Sequence, residues 1–489
     1  MSPARASEAP EAGVSFPAGT SGSRLLADLL EQTVAAFPGA FGALRVPRGK
    51  ELRQRYAELV TQFEGLRAAS PQRAAIALFL ARRQLELFRF QGAKGNVPLL
   101  EALDEKAQPF ALSRGAGEPE LQPIVEIPYR GKVHRGAEVT ALAQDLLARH
   151  GATRAAVQAL SWIAARGGAG ATLDLRGHAF AVLGASAEIA PTELLLRAGA
   201  RLLWIDVKDP PAPLQRSNLC WVQGGADLLL EPARIARTLQ QFAAGAPLHL
   251  VACAYAPGRG REWRLAVSMN AIAHKLKAGA VASLTMLISP TCPAPIEPED
   301  IEAIDSRRAS AHLWQTALAR AGILRPPLLR VGPIAVARSV VPIQGPTYQA
   351  AQYAAKRVSA EAFAAYGCAL DAATPAPLRV SANVAPITKT RSLRHPLFEA
   401  AFIGAPTFGV EIFEPASTRA IGLLLALHDL QNPDAPAATL RDPLRAGEIF
   451  RQHVHGGIFG LPWALEMSIN VSALLGLGQR PSLLLKLLR

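Results

Sequence analysis

The sequence predicts an α/β fold: a doubly wound parallel sheet with a helical N-terminal domain and a C-terminal extension. Between residues 178 and 392, short apolar runs of strand length alternate with segments of helical periodicity, a pattern typical of parallel sheets. The runs are apolar throughout, as expected for strands that helices cover on both faces. With 489 residues, of which 50% are hydrophobic and 19% charged, the chain can bury a large globular core.

The composition divides the chain into consecutive parts. Residues 1–22 are rich in Ala, Ser, Pro and Gly, so we expect a disordered tail. Residues 23–166 have mostly helical periodicity and predict a helical N-terminal domain. Residues 167–392 form the predicted sheet domain, which an insertion interrupts at 291–340. Residues 393–489 form the predicted helical C-terminal extension.

Charge and cysteine usage narrow the range of partners. The net charge of +13 would favour an anionic partner, but the arginines are scattered and form no basic stripe with aromatic residues. We therefore expect a small-molecule substrate and no nucleic-acid partner. The four cysteines lie far apart, which indicates reduced thiols and a cytoplasmic location. His453 and His455 have no acidic or cysteine neighbour in the sequence, so we predict no metal site.

Any membrane contact is expected to be peripheral. The chain has no apolar run of about 18 residues, so we predict no membrane-spanning helix. The leucine-rich segment 482–489 carries two cations and would suit a membrane surface, although docking on the core suits so short a segment better. The sequence does not indicate an oligomeric state.

One segment, residues 179–206, has the order strand, tight turn, helix, strand, acid. Gly184 permits a sharp turn after the first apolar run, and the small residues that follow would let a phosphate approach the backbone. Pro191 and Thr192 suit a helix start, which would present its N-terminus to that phosphate. Asp206 ends the second run 22 positions after Gly184, where dinucleotide sites place the acid that binds ribose hydroxyls.

These residues predict a dinucleotide site. Because one glycine of the usual three is present, a βαβ unit without a ligand is the alternative. An aspartate favours NAD over NADP, since a carboxylate repels a 2′-phosphate. The residues of this segment that we expect to contact the cofactor are Gly184, Ala185, Ser186, Ala187, Glu188, Ile189 and Asp206.

Further strands are predicted downstream, with helices between them. Ligands of parallel sheets bind at the carboxyl ends of the strands, so residues at these ends should gather beside the Gly184 turn. The predicted strands are 226–230, 248–258, 280–289 and 378–384, and the helices between them include 232–242, 265–277 and 349–366.

Taken in order, these segments resemble the short-chain dehydrogenase/reductase family, whose domain is Rossmann-like, over roughly residues 178–392. The Gly184 turn and Asp206 are similar to the glycine turn and the ribose-binding acid of that family. The run Ala252–Gly258 resembles its Asn-Asn-Ala-Gly strand. This resemblance implies a further cofactor contact at Ala254.

The same resemblance implies the catalytic residues. Asn270 is similar to an asparagine in the next helix of the family, and Ser289 to its catalytic serine. Tyr353 and Lys356 resemble the Tyr-x-x-x-Lys pair of the following helix. Ser339 competes with Ser289 for the serine role, because the stretch between the two predicted elements is long.

The implied activity is NAD(P)-dependent oxidation of an alcohol or reduction of a carbonyl, and the apolar C-terminal region suggests a hydrophobic substrate. The cofactor is NAD or NADP, with NAD favoured. Pro386 and Thr388, in a run similar to the Arg-Val-Asn-Ala-Val-x-Pro-Gly strand of the family, would face the nicotinamide. The tyrosine would donate a proton to the carbonyl, the lysine would lower the tyrosine pKa, and the serine would hold the carbonyl oxygen.

The chain departs from the family at the tyrosine. Tyr353 and Lys356 are three residues apart rather than four, although both spacings keep two side chains on one helix face. Tyr348 and Gln352 are four apart, but a glutamine lacks the charge. One alternative is therefore a nucleotide-binding protein without turnover. Another, suggested by the net charge and the leucine-rich C-terminus, is a scaffold or membrane-surface protein.

Overall fold

Strands and helices alternate through the middle of the chain, and the central strands assemble into one sheet. The computed structural model describes residues 11–276 and 278–487. In chain order the strands are β1 (Gly13–Ser15), β2 (Arg89–Gly92), β3 (Gly95–Pro98), β4 (Leu112–Arg114), β5 (Glu126–Tyr129), β6 (Lys132–Arg135), β7 (Ala179–Leu183), β8 (Arg201–Ile205), β9 (Leu219–Val222), β10 (Leu248–Ala252), β11 (Val281–Met286), β12 (Leu328–Val331), β13 (Ile334–Ala337) and β14 (Arg379–Ser381).

The main sheet has seven strands in the order β14-β11-β10-β7-β8-β9-β4. Its strands run parallel from β14 to β9, and the edge strand β4 pairs antiparallel with β9. From β7 the chain moves outward through β8 to β9. It then returns to β10, the other neighbour of β7, and moves outward in the opposite direction. The carboxyl ends of β7 and β10 therefore border the crevice where ligands of such sheets bind.

The central strand β7 has the buried, apolar character that the sequence predicts. All five of its residues are buried, and their side chains alternate between the two faces of the sheet. Ala181 and Leu183 belong to one apolar core, while Phe180 and Val182 belong to the other. Apolar cores therefore cover the sheet on both faces.

Helices supply the outer layers of both cores. In chain order they are α1 (Gly22–Ala36), α2 (Pro38–Phe41), α3 (Gly49–Ala69), α4 (Arg73–Leu87), α5 (Leu99–Asp104), α6 (Ala137–Ala148), α7 (Arg154–Gly167), α8 (Thr192–Arg197), α9 (Pro232–Ala243), α10 (Arg261–Lys275), α11 (Pro298–Ala309), α12 (Leu313–Arg320), α13 (Pro346–Gln349), a π-helical segment (Ala350–Val358), α14 (Ser359–Tyr366), α15 (Pro396–Gly404), α16 (Pro415–Gln431), α17 (Pro436–Thr439), α18 (Leu465–Gln479) and α19 (Ser482–Leu487).

The N-terminal helices share the cores of the sheet. Helices α1, α3 and α4 contribute to the same core as α9, α10 and the helix 346–366. Helices α6 and α7 contribute to the opposite core, with α8 and α16. Residues 22–167 contain helices α1 to α7. Their apolar faces pack on both sides of the sheet because periodicity identifies an apolar face without identifying its partner.

The expected disordered tail is ordered where the structure describes it. Gly13–Ser15 forms β1, which pairs with β2 and places Val14 in the core. Glu11 forms an ion pair with Arg264 of α10. These contacts correct the expectation for residues 11–22, and residues 1–10 lie outside the described residues.

The strand predicted near 226–230 is also corrected. The third strand of the sheet is β9, and the residues after it turn instead of extending. The carboxylate of Asp227 accepts hydrogen bonds from the N–H groups of Leu229 and Leu230. Such a side-chain bond competes with strand pairing, and α9 follows directly.

The remaining segments lie outside the main sheet. The insertion 291–340 contains α11, α12 and the hairpin β12–β13, which packs on α3. In the C-terminal extension, α15 pairs with α18, and α19 packs on both. Among the helices of the described residues, none combines the length and the apolar character that crossing a membrane requires.

Candidate functional site at the carboxyl edge of the sheet

The hydroxyl groups of Tyr348 and Ser289 form a hydroxyl pair just beyond the carboxyl end of β11, and the hydroxyl of Thr291 lies beside them. The Tyr348 Oη donates a hydrogen bond to the Ser289 Oγ at 3.0 Å, and the Thr291 Oγ1 lies 2.8 Å from the same Ser289 oxygen. Burial raises the pKa of the Tyr348 phenol, so the phenol is protonated at neutral pH. A protonated phenol beside a serine hydroxyl can hold a carbonyl oxygen and supply it with a proton.

Two further side chains follow Tyr348 along the same helix face. Gln352 and Lys356 stand four and eight residues later, a spacing that keeps them aligned. The Ser289 N–H donates to Gln352 Oε1 at 3.2 Å. The Lys356 Nζ donates to the Leu287 carbonyl at 3.3 Å, and burial lowers the pKa of its ammonium. Both side chains thus reach the end of β11.

The π-helical turn of this helix explains the position of Asn270. A π-turn shifts the backbone ladder and leaves carbonyl groups in need of other donors. Asn270 Nδ2 donates to the Ala355 carbonyl at 2.6 Å, and Gln84 Nε2 donates to the Ala354 carbonyl at 3.0 Å. Asn270 is buried. Its amide therefore holds the helix in place inside the core.

Tyr353 lies in a different environment from its neighbour Gln352. Its ring is fully buried beside Phe63, and its hydroxyl donates to Glu64 Oε2 at 2.7 Å. We expected Tyr353 and Lys356 to act together. The structure does not place them so, because the Tyr353 phenol is bound to the Glu64 carboxylate of α3. The tyrosine beside Ser289 is Tyr348. The sequence signal for it was the four-residue spacing to Gln352.

A buried ion cluster anchors the helix that carries Tyr348. Glu361, near the end of this helix, accepts from Arg67 at 2.9 Å and from Arg73 at 2.6 Å. Arg67 also pairs with Glu64 at 2.8 Å. Burial acts to raise the pKa of Glu361, but the two arginines more than offset it and hold that pKa below its usual range. The cluster ties the helix to α3 and α4.

Ser339, the alternative candidate for the serine role, is bound inside the protein. The Ser339 hydroxyl is buried and donates to the Cys292 carbonyl at 2.8 Å. Ser289, by contrast, is half-buried and shares its hydroxyl with Tyr348. The serine at the strand end is therefore the one with a possible ligand role.

The turn after β7 is tightly closed by the protein itself. Gly184 has a φ of +86°, and a Cβ there would overlap the Ala254 backbone. The Gly184 and Ala185 N–H groups both donate to the Ile205 carbonyl, and the Ala187 N–H donates to Gly184. The six-residue helix α8 begins only at Thr192. The backbone donors expected to bind a phosphate are thus engaged internally.

Charged groups around this turn are also bound to other groups of the protein. Asp206 Oδ2 accepts the Ser186 N–H at 2.8 Å. The Glu188 carboxylate accepts the Arg391 N–H at 2.8 Å and lies 3.5 Å from its guanidinium. The Arg419 guanidinium donates to the Glu188 carbonyl at 2.9 Å. Ile189 lines a small cavity beside Arg419.

The other expected nicotinamide contacts are turned into the protein. Pro386 and Thr388 are buried. The Thr388 hydroxyl donates to the Pro386 carbonyl at 2.9 Å and lies 2.7 Å from the Thr418 hydroxyl. Ala254 packs on Gly184, and the next residue, Tyr255, is 42% exposed with its ring 6.4 Å from that of Tyr348. Tyr255 therefore borders both the crevice and the hydroxyl pair.

The crevice fits a dinucleotide at its ribose end. Asp206 is half-buried at the end of β8, and a carboxylate there suits ribose hydroxyls. At the phosphate end, Arg391 and Arg419 supply positive charge, while Glu188 supplies an opposing negative charge. The phosphates would therefore meet a turn whose charges are partly neutralised.

A second polar cluster lies apart from this edge, around the two histidines of the C-terminal extension. Asp300 Oδ1 lies 2.9 Å from His455 Nε2, and Asp300 Oδ2 lies 4.0 Å from His453 Nε2. All three side chains are buried. The histidines thus do have an acidic neighbour, from α11, which sequence distance hid. No His, Cys, Asp and Glu side chains of residues 11–276 and 278–487 form a group suited to a metal ion.

Comparisons with known proteins give a faint structural likeness. No protein-family model matches the sequence, and no curated protein matches it. A crystal structure of a short-chain dehydrogenase/reductase, described as SDR:Glucose/ribitol dehydrogenase, from Brucella melitensis is similar with a TM-score of 0.30 and 12% identity. The likeness covers 59% of this chain and 98% of that chain. The chemistry of the site is therefore inferred from its own residues.

Proposed function

We propose that the protein is an NAD(P)-dependent oxidoreductase of the short-chain dehydrogenase type, acting on a carbonyl or an alcohol. The observation that carries this proposal is the 3.0 Å hydrogen bond between Tyr348 Oη and Ser289 Oγ at the carboxyl edge of the sheet. The parallel strands, numbered in chain order, have the sequence 3-2-1-4-5-6 across the sheet. The Rossmann fold has this strand order, which supports the proposal.

The residues of this edge have distinct roles in the proposal. Ser289 and Tyr348 hold the carbonyl oxygen, and the Tyr348 phenol gives it a proton as negative charge develops. Thr291 orients the Ser289 hydroxyl, and Gln352 fixes the Ser289 backbone. Lys356 supplies a cation on that helix face and reaches the Leu287 carbonyl near the end of β11. A general acid in such a position contributes roughly 10²- to 10⁴-fold to a rate.

The cofactor would lie along the crevice between β7 and β10. Asp206 would bind the ribose hydroxyls of the adenosine half, and Arg391 with Arg419 would face the phosphates. When bound, the nicotinamide supplies or accepts the hydride. NAD is favoured over NADP because Asp206 would repel a 2′-phosphate.

A second candidate is a protein of the same fold that binds a nicotinamide nucleotide without turnover. Two observations favour it. Gln352 stands where a cation would lower the Tyr348 pKa, and Glu188 adds negative charge where the phosphates would bind.

One set of experiments separates these candidates. NADH and NADPH are first titrated by fluorescence, and bound cofactor is then mixed with hexanal in a single turnover. Oxidation of the cofactor supports the oxidoreductase, whereas binding without oxidation supports the second candidate. Absence of binding to either cofactor contradicts both.

The Gln352→Lys variant tests the proton donor. The new ammonium stands four residues from Tyr348, so we expect the rate to rise by roughly tenfold and its pH profile to shift to lower pH, as a one-unit decrease in the phenol pKa would produce. Gln352→Met removes the same amide without adding charge and serves as the control. A rise in both variants, or in neither, contradicts the role assigned to Tyr348.

A further inference from the structure

An apolar cavity adjoins the hydroxyl pair on the side of the C-terminal extension. Phe398 and Phe402 of α15 form one wall, Leu465 and Ile469 of α18 form another, and Phe408 lies between them. The cavity measures about 70 Å³, more than twice the roughly 30 Å³ of the cavity between the sheet and α16. Its lining is almost entirely apolar.

The polar end of this cavity lies next to the proposed carbonyl site. Thr291 and Gln344 line that end, and the Thr291 hydroxyl lies 2.8 Å from the Ser289 hydroxyl. The buried Oε1 of Gln344 has no hydrogen-bond partner among the described atoms, and the hydroxyl of an alcohol could donate to it. A ligand with an apolar body and one polar end would match both the apolar walls of the cavity and its polar end.

The packing of α15 on α18 fixes the shape of the cavity. A Cβ at Gly404 would overlap the Ser472 carbonyl, and a Cβ at Gly476 would overlap the Ala400 carbonyl. The two helices therefore touch backbone to backbone at these points, which sets the distance between the walls. Phe398 and Phe402 are half-buried, so the wall that they form is partly exposed to solvent.

We infer that the substrate is a carbonyl or alcohol compound with an unbranched aliphatic chain, bound in this cavity with its oxygen at Ser289 and Tyr348. This inference rests on the proposed function for the position of the oxygen. The volume of about 70 Å³ is several times the roughly 10–15 Å³ that one water requires, so the cavity has room for a short aliphatic chain. Each buried methylene would improve binding about fourfold.

The test measures binding separately from turnover. The probes are acetamide, butanamide and hexanamide, which carry the carbonyl but cannot be reduced, and calorimetry measures their affinity for the full-length protein. We expect affinity to rise about fourfold per methylene along the series. Equal affinity along the series would overturn the inference.

Two substitutions on α18 test where the aliphatic chain of the probe binds. Ile469→Trp fills the cavity and should remove the gain from chain length while leaving acetamide binding unchanged. Leu474→Trp, at a position that is 69% exposed on the same helix, should leave the whole series unchanged. If Ile469→Trp weakens every probe equally, or none, the chain does not lie in this cavity. If affinity depends on chain length but the bound cofactor is not oxidised, the proposed activity is contradicted and the inferred ligand class is still supported.

Discussion

The two halves of the carboxyl edge differ in what their polar groups bind. On the β11 side, Ser289, Thr291 and Tyr348 converge on one point, and an apolar cavity opens beside it. On the β7 side, Asp206 and Glu188 are bound to donors of the protein itself. The same strand topology positions both halves. The partners differ, however: the hydroxyl groups of the β11 side bind one another beside a cavity, whereas the carboxylates of the β7 side bind N–H and guanidinium groups of the protein.

The largest expected effect tests how firmly the carbonyl half is anchored. Glu361→Gln would leave the Arg67 and Arg73 charges without one of their carboxylates inside the core. Removing one partner of a buried ion pair costs about 3–5 kcal/mol, so we expect chemical denaturation to show a loss of that size. The exposed Glu58, which pairs with Arg338 at 3.0 Å, provides the control. Glu58→Gln should cost less than about 1 kcal/mol, and equal losses in the two variants would contradict the anchoring role.

Acid should lower the stability of the fold through His249 on β10, the strand that lies between the two halves. His249 is buried on β10, which pairs with both β7 and β11, and burial lowers the pKa of its imidazole to about 4. The unfolded chain then binds more protons than the folded chain between pH 6.5 and about 4, so stability is full above pH 6.5 and is lost as the pH falls through this window. The loss from this group is at most about 3 kcal/mol.

The change is measured as the free energy of unfolding against pH. His249→Gln removes the titrating group and keeps hydrogen-bonding capacity toward Ser283, which lies 3.0 Å from the imidazole. This variant should show a shallower pH dependence than the native protein. An unchanged slope would mean that the histidine does not limit acid stability.

The smallest expected effect tests whether the nucleotide half is held closed by its own charges. Glu188→Gln removes the negative charge that faces the phosphates, so we expect NADH to bind roughly tenfold more tightly, a change of about 1.4 kcal/mol. Glu193→Gln, on the neighbouring helix and 3.9 Å from Arg419, is the matched control and should change affinity little. Weaker binding in Glu188→Gln would contradict an opposing role for this charge.

The sequence was sufficient to predict the alternation of strands and helices in the sheet domain. Apolar runs predicted β7, β8, β10 and β11, and helical periodicity predicted the helix that contains Tyr353. The distribution of the N-terminal helices over both faces of the sheet was not predictable, because an amphipathic helix does not specify the surface on which it packs.

Site prediction failed where side-chain direction mattered. Tyr353 and Gln352 are adjacent in sequence but point to different surroundings, one to Glu64 and the other to Ser289. The sequence favoured Tyr353 because a lysine follows it. It could not reveal the π-helical turn, because the carbonyl groups of that turn accept hydrogen bonds from Gln84 and Asn270 of other helices.

The most direct test of a carbonyl site at Ser289 and Tyr348 compares two phenylalanine substitutions on one helix. Single-turnover oxidation of bound NADH by hexanal is measured for Tyr348→Phe and Tyr353→Phe. We expect Tyr348→Phe to slow the reaction by about 100-fold or more. Tyr353→Phe should keep a rate close to that of the native protein, although it unfolds more easily by about 1–3 kcal/mol because Glu64 loses a donor. A native rate in Tyr348→Phe, or a loss confined to Tyr353→Phe, would contradict the site.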